Sequence, residues 1–138
     1  RHEVKVSGSR IHLFVNPGTS IENRALVLTE FYRAQLKDQI EKLINHWQSH
    51  MGVEIVDWSV KKMKTKWGSC NTVVKRIWLN LELARKPPEC LEYILVHELV
   101  HLLERTHNER FLFHMDKFMP NWRERRDLLN KMPLAFGT

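Results

Sequence analysis

Two histidines four residues apart, His97 and His101, enclose Glu98, and a third histidine, His107, follows six residues later. On an α-helix, positions four apart lie one turn apart on the same face, so the two imidazoles can grip one metal ion. Glu98 falls about 100° round the helix from His97, near enough to touch a water on that metal without becoming a ligand. The His-Glu-x-x-His pattern is the arrangement used by zinc-dependent hydrolases of the peptide bond.

A catalytic zinc takes three protein ligands and keeps one position open, whereas a structural zinc takes four. Glu104 stands seven residues past His97, nearly on the same face. Seven residues span about 10 Å of helix axis, however, too far for three side chains strung along it to converge. On one continuous helix His107 would point away from the other two. The run Thr106-His107-Asn108-Glu109 removes that objection. It fits a capping box, with Thr106 at the N-cap and Glu109 at the third helical position. The metal-binding helix is therefore expected to end near Arg105, and a new one to begin at His107. The bend between them brings His107 back over the metal. The expected site is one Zn2+ per chain on His97, His101 and His107, with water in the fourth position and Glu98 as general base. His114 reads as a surface or packing residue, and His2, His12, His46 and His50 carry no ligand spacing.

These residues need elements to position them. Residues 1–20 read as a hairpin: Val4 and Val6 alternate with charged residues, Ser7-Gly8-Ser9 turns the chain, and Ile11–Val15 returns. Asn16-Pro17-Gly18 ends it. Thr19 or Ser20 then caps a helix from about Ile21 to about His50, on which Ala25, Leu28, Tyr32, Leu36, Ile40, Leu43 and Trp47 recur at steps of three and four. Gly52 stops it. Val53–Val60 reads as a strand, and Met63–Cys70 and Arg76–Leu83 as an antiparallel pair. Pro87-Pro88 opens the metal-binding helix, since proline is tolerated in a first turn. Two further helices cover about His107–Met119 and Asn121–Asn130.

The chain has 138 residues, the size of a single domain, and its 43% hydrophobic content supports a core rather than disorder. Residues 1–138 show no repeat, low-complexity segment or linker. Two cysteines, Cys70 and Cys90, with no Cys-x-x-Cys pair, exclude a disulfide scaffold and a four-cysteine zinc site. They fit a reduced, cytoplasmic setting. No apolar run is long enough for a bilayer. The chain opens on Arg1 rather than Met, which leaves room for an upstream segment.

Met63–Cys70 (ending Trp67-Gly68-Ser69-Cys70), Leu79-Asn80, Tyr93–His101, His107, Phe111, Pro120-Asn121-Trp122 and Arg125-Arg126 together resemble the YgjP-like metallopeptidase family. That family is similar to the small gluzincin-type zincins and to the SprT-type proteases. The resemblance covers the chain from about residue 53 onward. It implies a single α+β zincin-like domain with a small, mainly antiparallel sheet, a long N-terminal backing helix and the His-Glu-x-x-His helix. It also implies zinc ligands at His97, His101 and His107 and a general base at Glu98. One departure is Thr106, where relatives often carry Asn; both residue types cap helices.

In zincin-like folds an edge strand binds extended substrate as an added strand. Trp67, Gly68, Ser69 and Cys70 occupy a suitable place for this, with Gly68 permitting close backbone approach. Equally, Trp67 can belong to the core and Gly68-Ser69-Cys70 to a turn. Cys70 reads as a small packing residue rather than a nucleophile, because the histidines are committed to metal.

The net charge of +6 favours acidic partners. Lys61, Lys62, Lys64, Lys66, Lys75 and Arg76 form one basic group, and Arg123, Arg125, Arg126 and Lys131 a second. The partner expected is a peptide or protein substrate. Nucleic acid along the basic groups, as for a protease of DNA-bound proteins, is the alternative, with a non-peptidase metal hydrolase a third reading. Substrate sequence and oligomeric state are not encoded in these patterns.

Overall fold

The computed structural model describes residues 3–7, 10–14, 20–132 and 134. Alternation at Val4 and Val6 gives β1 (Glu3–Ser7), paired antiparallel with β2 (Arg10–Phe14), with Val4 opposite Leu13 and Val6 opposite Ile11. The expected turn residues Gly8 and Ser9, the Asn16-Pro17-Gly18 stop and the alternative cap Thr19 lie outside the described residues.

Ser20 caps α1 (Ile21–Met51), its side chain accepting from the Asn23 backbone N–H at 3.1 Å. Gly52 ends the helix in the left-handed region at φ 71°, donating its N–H to Gln48. The buried seam runs Leu36, Ile40, Ile44, Trp47 and Met51. It therefore occupies the C-terminal part of the helix, with Ile44 in the core where Leu43 is only half-buried. Trp47 donates its indole N–H to Glu92 at 2.8 Å, and Arg125 binds the other oxygen of the same carboxylate at 2.9 Å.

The sheet is mixed. β3 (Asp57–Lys61) runs parallel to β5 (Arg76–Asn80), and β4 (Gly68–Asn71) pairs with β5 antiparallel, giving the order β3-β5-β4. β4 is thus an edge strand. The expected strand over Val53–Val60 starts later, and the expected long pair Met63–Cys70 with Arg76–Leu83 is shorter at its open end, β4 starting at Gly68 and β5 ending at Asn80. The cause is Asn80, which has no solvent exposure. Its Nδ2 donates to the carbonyls of Met63 and Lys66, both at 2.8 Å, which turns Met63–Lys66 off the sheet into a loop. Its Oδ1 accepts from the Glu82 N–H at 3.0 Å, ending β5 and opening a short 3₁₀ helix over Leu81–Arg85. Asn80→Ala removes all three bonds and leaves part-buried backbone groups unmatched, at a cost on the order of 3 kcal/mol. Asn80→Asp keeps the acceptor and loses only the donors. Urea midpoints should fall for both, and faster amide exchange over residues 62–67 should appear in the Asp variant. Unchanged exchange there would show that Asn80 does not hold the loop.

α2 (Pro88–Val100) is the centre of the molecule, with Pro88 in its first turn and nine of its thirteen residues buried. A helix this short is marginal alone, so packing sustains it, each buried Leu or Ile contributing about 1.5–3 kcal/mol. α1, the sheet, α3 (Glu109–Phe118) and α4 (Trp122–Asn130) all pack against it. Two helix boundaries differ from the sequence expectation. α2 ends at Val100, with His101 as its C-cap, rather than near Arg105. The next cap is Asn108, whose Oδ1 accepts from the Phe111 N–H at 3.0 Å, rather than Thr106. The chain leaves α2 one turn early through tight bonds from Leu102 to Leu99 and from Leu103 to Val100, so the following cap falls later. No helix among the described residues is long and apolar enough to cross a membrane.

Candidate metal centre

The end of α2 presents His97 and Glu98 from its last helical turn and His101 from its C-cap. A tight turn then reverses the chain, with the Asn108 N–H bonded to the Thr106 carbonyl at 2.9 Å. This turn carries His107 back over α2. One nitrogen from each of His97, His101 and His107 lies within 4.8 Å of the others, and Nε2 of His107 is 3.0 Å from Nε2 of His101. Tetrahedral zinc with nitrogens at 2.0–2.1 Å places them about 3.3 Å apart, so the three imidazoles need only small adjustments around a shared ion.

The surroundings suit that donor set. Nδ1 of His101 lies 3.1 Å from the Arg105 carbonyl, so it carries the proton and leaves Nε2 as the free lone pair. Burial, then the neighbouring His101 and His107, lower the His97 pKa to about 4, so its ring is neutral and competent as a ligand at neutral pH. Burial likewise lowers that of His101. Phe111, only 3% exposed, sets its ring 4.8 Å from each of the three imidazole centroids and gives them a common apolar backing. Tyr93, one turn before His97, stacks on Trp122 and lies 6.0 Å from the His97 ring.

Glu98 is 6% exposed. Burial raises its pKa to about 8, against a smaller opposing pull from Lys66. A cation on the imidazoles would favour its ionised form, leaving a base matched to neutral pH. Its side chain lies against β4. A Cβ at Gly68 would sit 3.3 Å from the Glu98 Cγ and Oε2, and 2.8 Å from Cγ2 of Ile94. The close approach Gly68 permits is therefore between β4 and α2. Gly68→Ala is expected to cost about 1–3 kcal/mol by overpacking and to displace Glu98. Its melting temperature and kcat should both fall; a fully active, equally stable Ala variant would show that the contact is slack.

The remaining residues of the Trp67–Cys70 segment divide. Trp67 is half-buried against the core, while Ser69 and Cys70 line a cleft shared with Glu98 and His101. Burial, then Glu98, push the Cys70 thiol up to about 11, which removes its thiolate chemistry at neutral pH. Both cysteines are free thiols. His114 stacks on Phe118 and takes no part in the histidine cluster.

Glu104, too distant to be a ligand on a straight helix, has a different place. Its Oε1 accepts from Asn108 Nδ2 at 3.0 Å and so ties down the turn that carries His107. Sequence reading missed this role, and those of Asn80 and Phe111, because each acts through a neighbour far along the chain or across a turn. The second basic group is largely neutralised: Arg123 pairs with Asp116, Arg125 with Glu92 and Arg126 with Asp127. In the first group Arg76 pairs with Asp57, and Lys61 lies 4.9 Å over the ring of Trp78.

A family model described as YgjP-like, metallopeptidase domain, matches residues 1–132. Among solved structures, the fold is similar to the metallopeptidase zymogen abylysin of Pyrococcus abyssi, with a TM-score of 0.61 and 24% identity over 67% of this chain and 94% of that one. It is also similar to the metallopeptidase zymogen jannalysin of Methanocaldococcus jannaschii, with a TM-score of 0.59 and 23% identity over 67% of this chain and 96% of that one. At these identities the likeness is one of fold. The search of curated proteins found no match.

Proposed function

Because the chain belongs to the YgjP-like metallopeptidase family, we propose that it hydrolyses peptide bonds with one Zn2+ per chain held by His97, His101 and His107, and with Glu98 as general base. The observation that carries this reading is the convergence of three imidazole nitrogens within 4.8 Å beside a carboxyl group that is 6% exposed. Bound zinc supplies Lewis acidity, bringing water towards a pKa of about 7 and polarising the scissile carbonyl.

The chain's own residues do the rest. Glu98 accepts a proton from the attacking water and returns it to the leaving amine. The Arg105 carbonyl and the Phe111 ring keep His101 oriented, and Asn108 with Glu104 keeps the His107 turn in place. Among the described residues β4 is the edge strand of its sheet, open to an extended peptide, with Ser69 and Cys70 along the cleft. The experiment is metal analysis joined to a peptide-library cleavage screen, comparing wild type with Glu98→Gln. Zinc bound at one equivalent with cleavage lost in the variant supports the reading; metal without any cleavage in wild type removes the peptidase.

A further inference from the structure

The cleft beside the histidines has a chemical character that the peptidase reading leaves unused. Its volume is about 280 Å³. Ser69, Cys70 and Thr72 of the β4 edge and its turn form one wall, and His101 and Glu98 meet them from α2. Two cations, Lys66 and Arg105, complete the lining. They come from different parts of the chain: Lys66 from the loop entering β4, and Arg105 from the turn leaving α2.

Both are exposed, and among the described residues neither has a carboxylate within ion-pair distance. The acids nearby do not pair with them. Glu98, which also lines the cleft, packs against Gly68, and Glu104 accepts from Asn108. Both cations also stand on pinned backbone. The Lys66 carbonyl accepts from Asn80 at 2.8 Å, and the Arg105 carbonyl from His101 at 3.1 Å. A charged pair whose main chain is held in advance loses less freedom on meeting an anion.

We propose that this cleft is a substrate subsite for a carboxylate group, with Lys66 and Arg105 as its counter-ions. The inference rests on the peptidase reading above. A peptide laid along β4 directs alternate side chains to the same side, so one Asp or Glu side chain can enter the cleft. A C-terminal carboxylate is the second source of the same chemistry. A nucleic acid is disfavoured because neither Trp67 nor Trp78 lines this cleft, leaving no stacking platform for a base.

The test reads binding, not turnover. Zinc-loaded Glu98→Gln protein is titrated by fluorescence anisotropy with amidated hexapeptides carrying Glu or Gln at each position in turn. A Gln peptide with a free C-terminus forms the second arm, and a short single-stranded oligonucleotide the third. A Glu peptide should bind about fivefold more tightly than its Gln isostere, as for a partly exposed ion pair, and the difference should shrink at high salt. Adding Lys66→Gln and Arg105→Gln together should erase it, while adding Lys86→Gln instead should leave it. A gain confined to the free C-terminus assigns the subsite to a terminal carboxylate. Equal binding of Glu and Gln peptides at every position with no gain from the free C-terminus either, including no binding of any peptide, overturns the proposal. So does a preference that survives the double substitution, or an oligonucleotide that binds more tightly than any peptide with the same dependence on Lys66 and Arg105. Failure of wild-type protein to cleave any peptide would sink the peptidase reading while these affinities still decide the subsite.

Discussion

Glu98→Gln should abolish peptide hydrolysis and leave the metal in place. The substitution is isosteric, so the packing against Gly68 survives. What is lost is the ability to take a proton. Removing a positioned general base typically costs about 10²–10⁴-fold in rate, and the loss should appear in kcat rather than in zinc content. Burial already presses the carboxyl towards its neutral form, with a pKa of about 8, so the metal-free Gln variant should be at least as heat-stable as wild type. Zinc stoichiometry by elemental analysis, melting temperature and single-turnover cleavage together check the claim. Hydrolysis at the wild-type rate would place the proton acceptor elsewhere.

His107→Ala should weaken zinc binding more than about 100-fold, beyond the 10–100-fold expected for losing only an outer-shell partner. The fold should persist, because His107 is exposed and the turn carrying it is held by its neighbours. Those neighbours supply the contrast. Asn108→Ala removes both the cap on α3 and the tie to Glu104. It should lower stability by about 1 kcal/mol and zinc affinity by only about tenfold, as for an outer-shell partner. Competition against a chelator of known affinity separates the two. The thermal shift produced by added zinc gives a second readout, since a ligand that binds only the folded state raises its melting temperature. Wild-type zinc affinity in His107→Ala would remove this residue from the ligand set.

Much of the architecture is legible in the sequence. The long α1, its stop at Gly52, the hairpin strands and the proline start of α2 follow from local rules: hydrophobic period, caps and backbone restrictions. The divergences share one cause. Thr106 and Asn108 are both competent caps, and which one opens α3 depends on where α2 stops. That point is set by how the surrounding elements bury α2, not by the capping residues themselves. The strand pair shortened because one buried amide, on Asn80, takes carbonyls 14 and 17 residues away in the chain. Period and propensity see the strand but not the side chain that competes with its ladder. Likewise, Val60 and Leu79 pair in a parallel ladder, which no two-strand pattern distinguishes from a hairpin continuation.

Residue types and their spacing set the chemistry available. Helical geometry makes His97 and His101 share a face wherever a helix forms there, and places Glu98 beside them. Distance along the helix axis excludes Glu104 as their third partner. Tertiary structure decided everything that required meeting across the fold: His107 returning to within 3.0 Å of His101, Phe111 backing all three imidazoles, Gly68 admitting the Glu98 side chain against β4, and Lys66 and Arg105 sharing one cleft. Spacing can state what one helix presents to a point in space, because the peptide backbone sets its period. It cannot state what another element brings to that point, because this depends on the packing of the whole core.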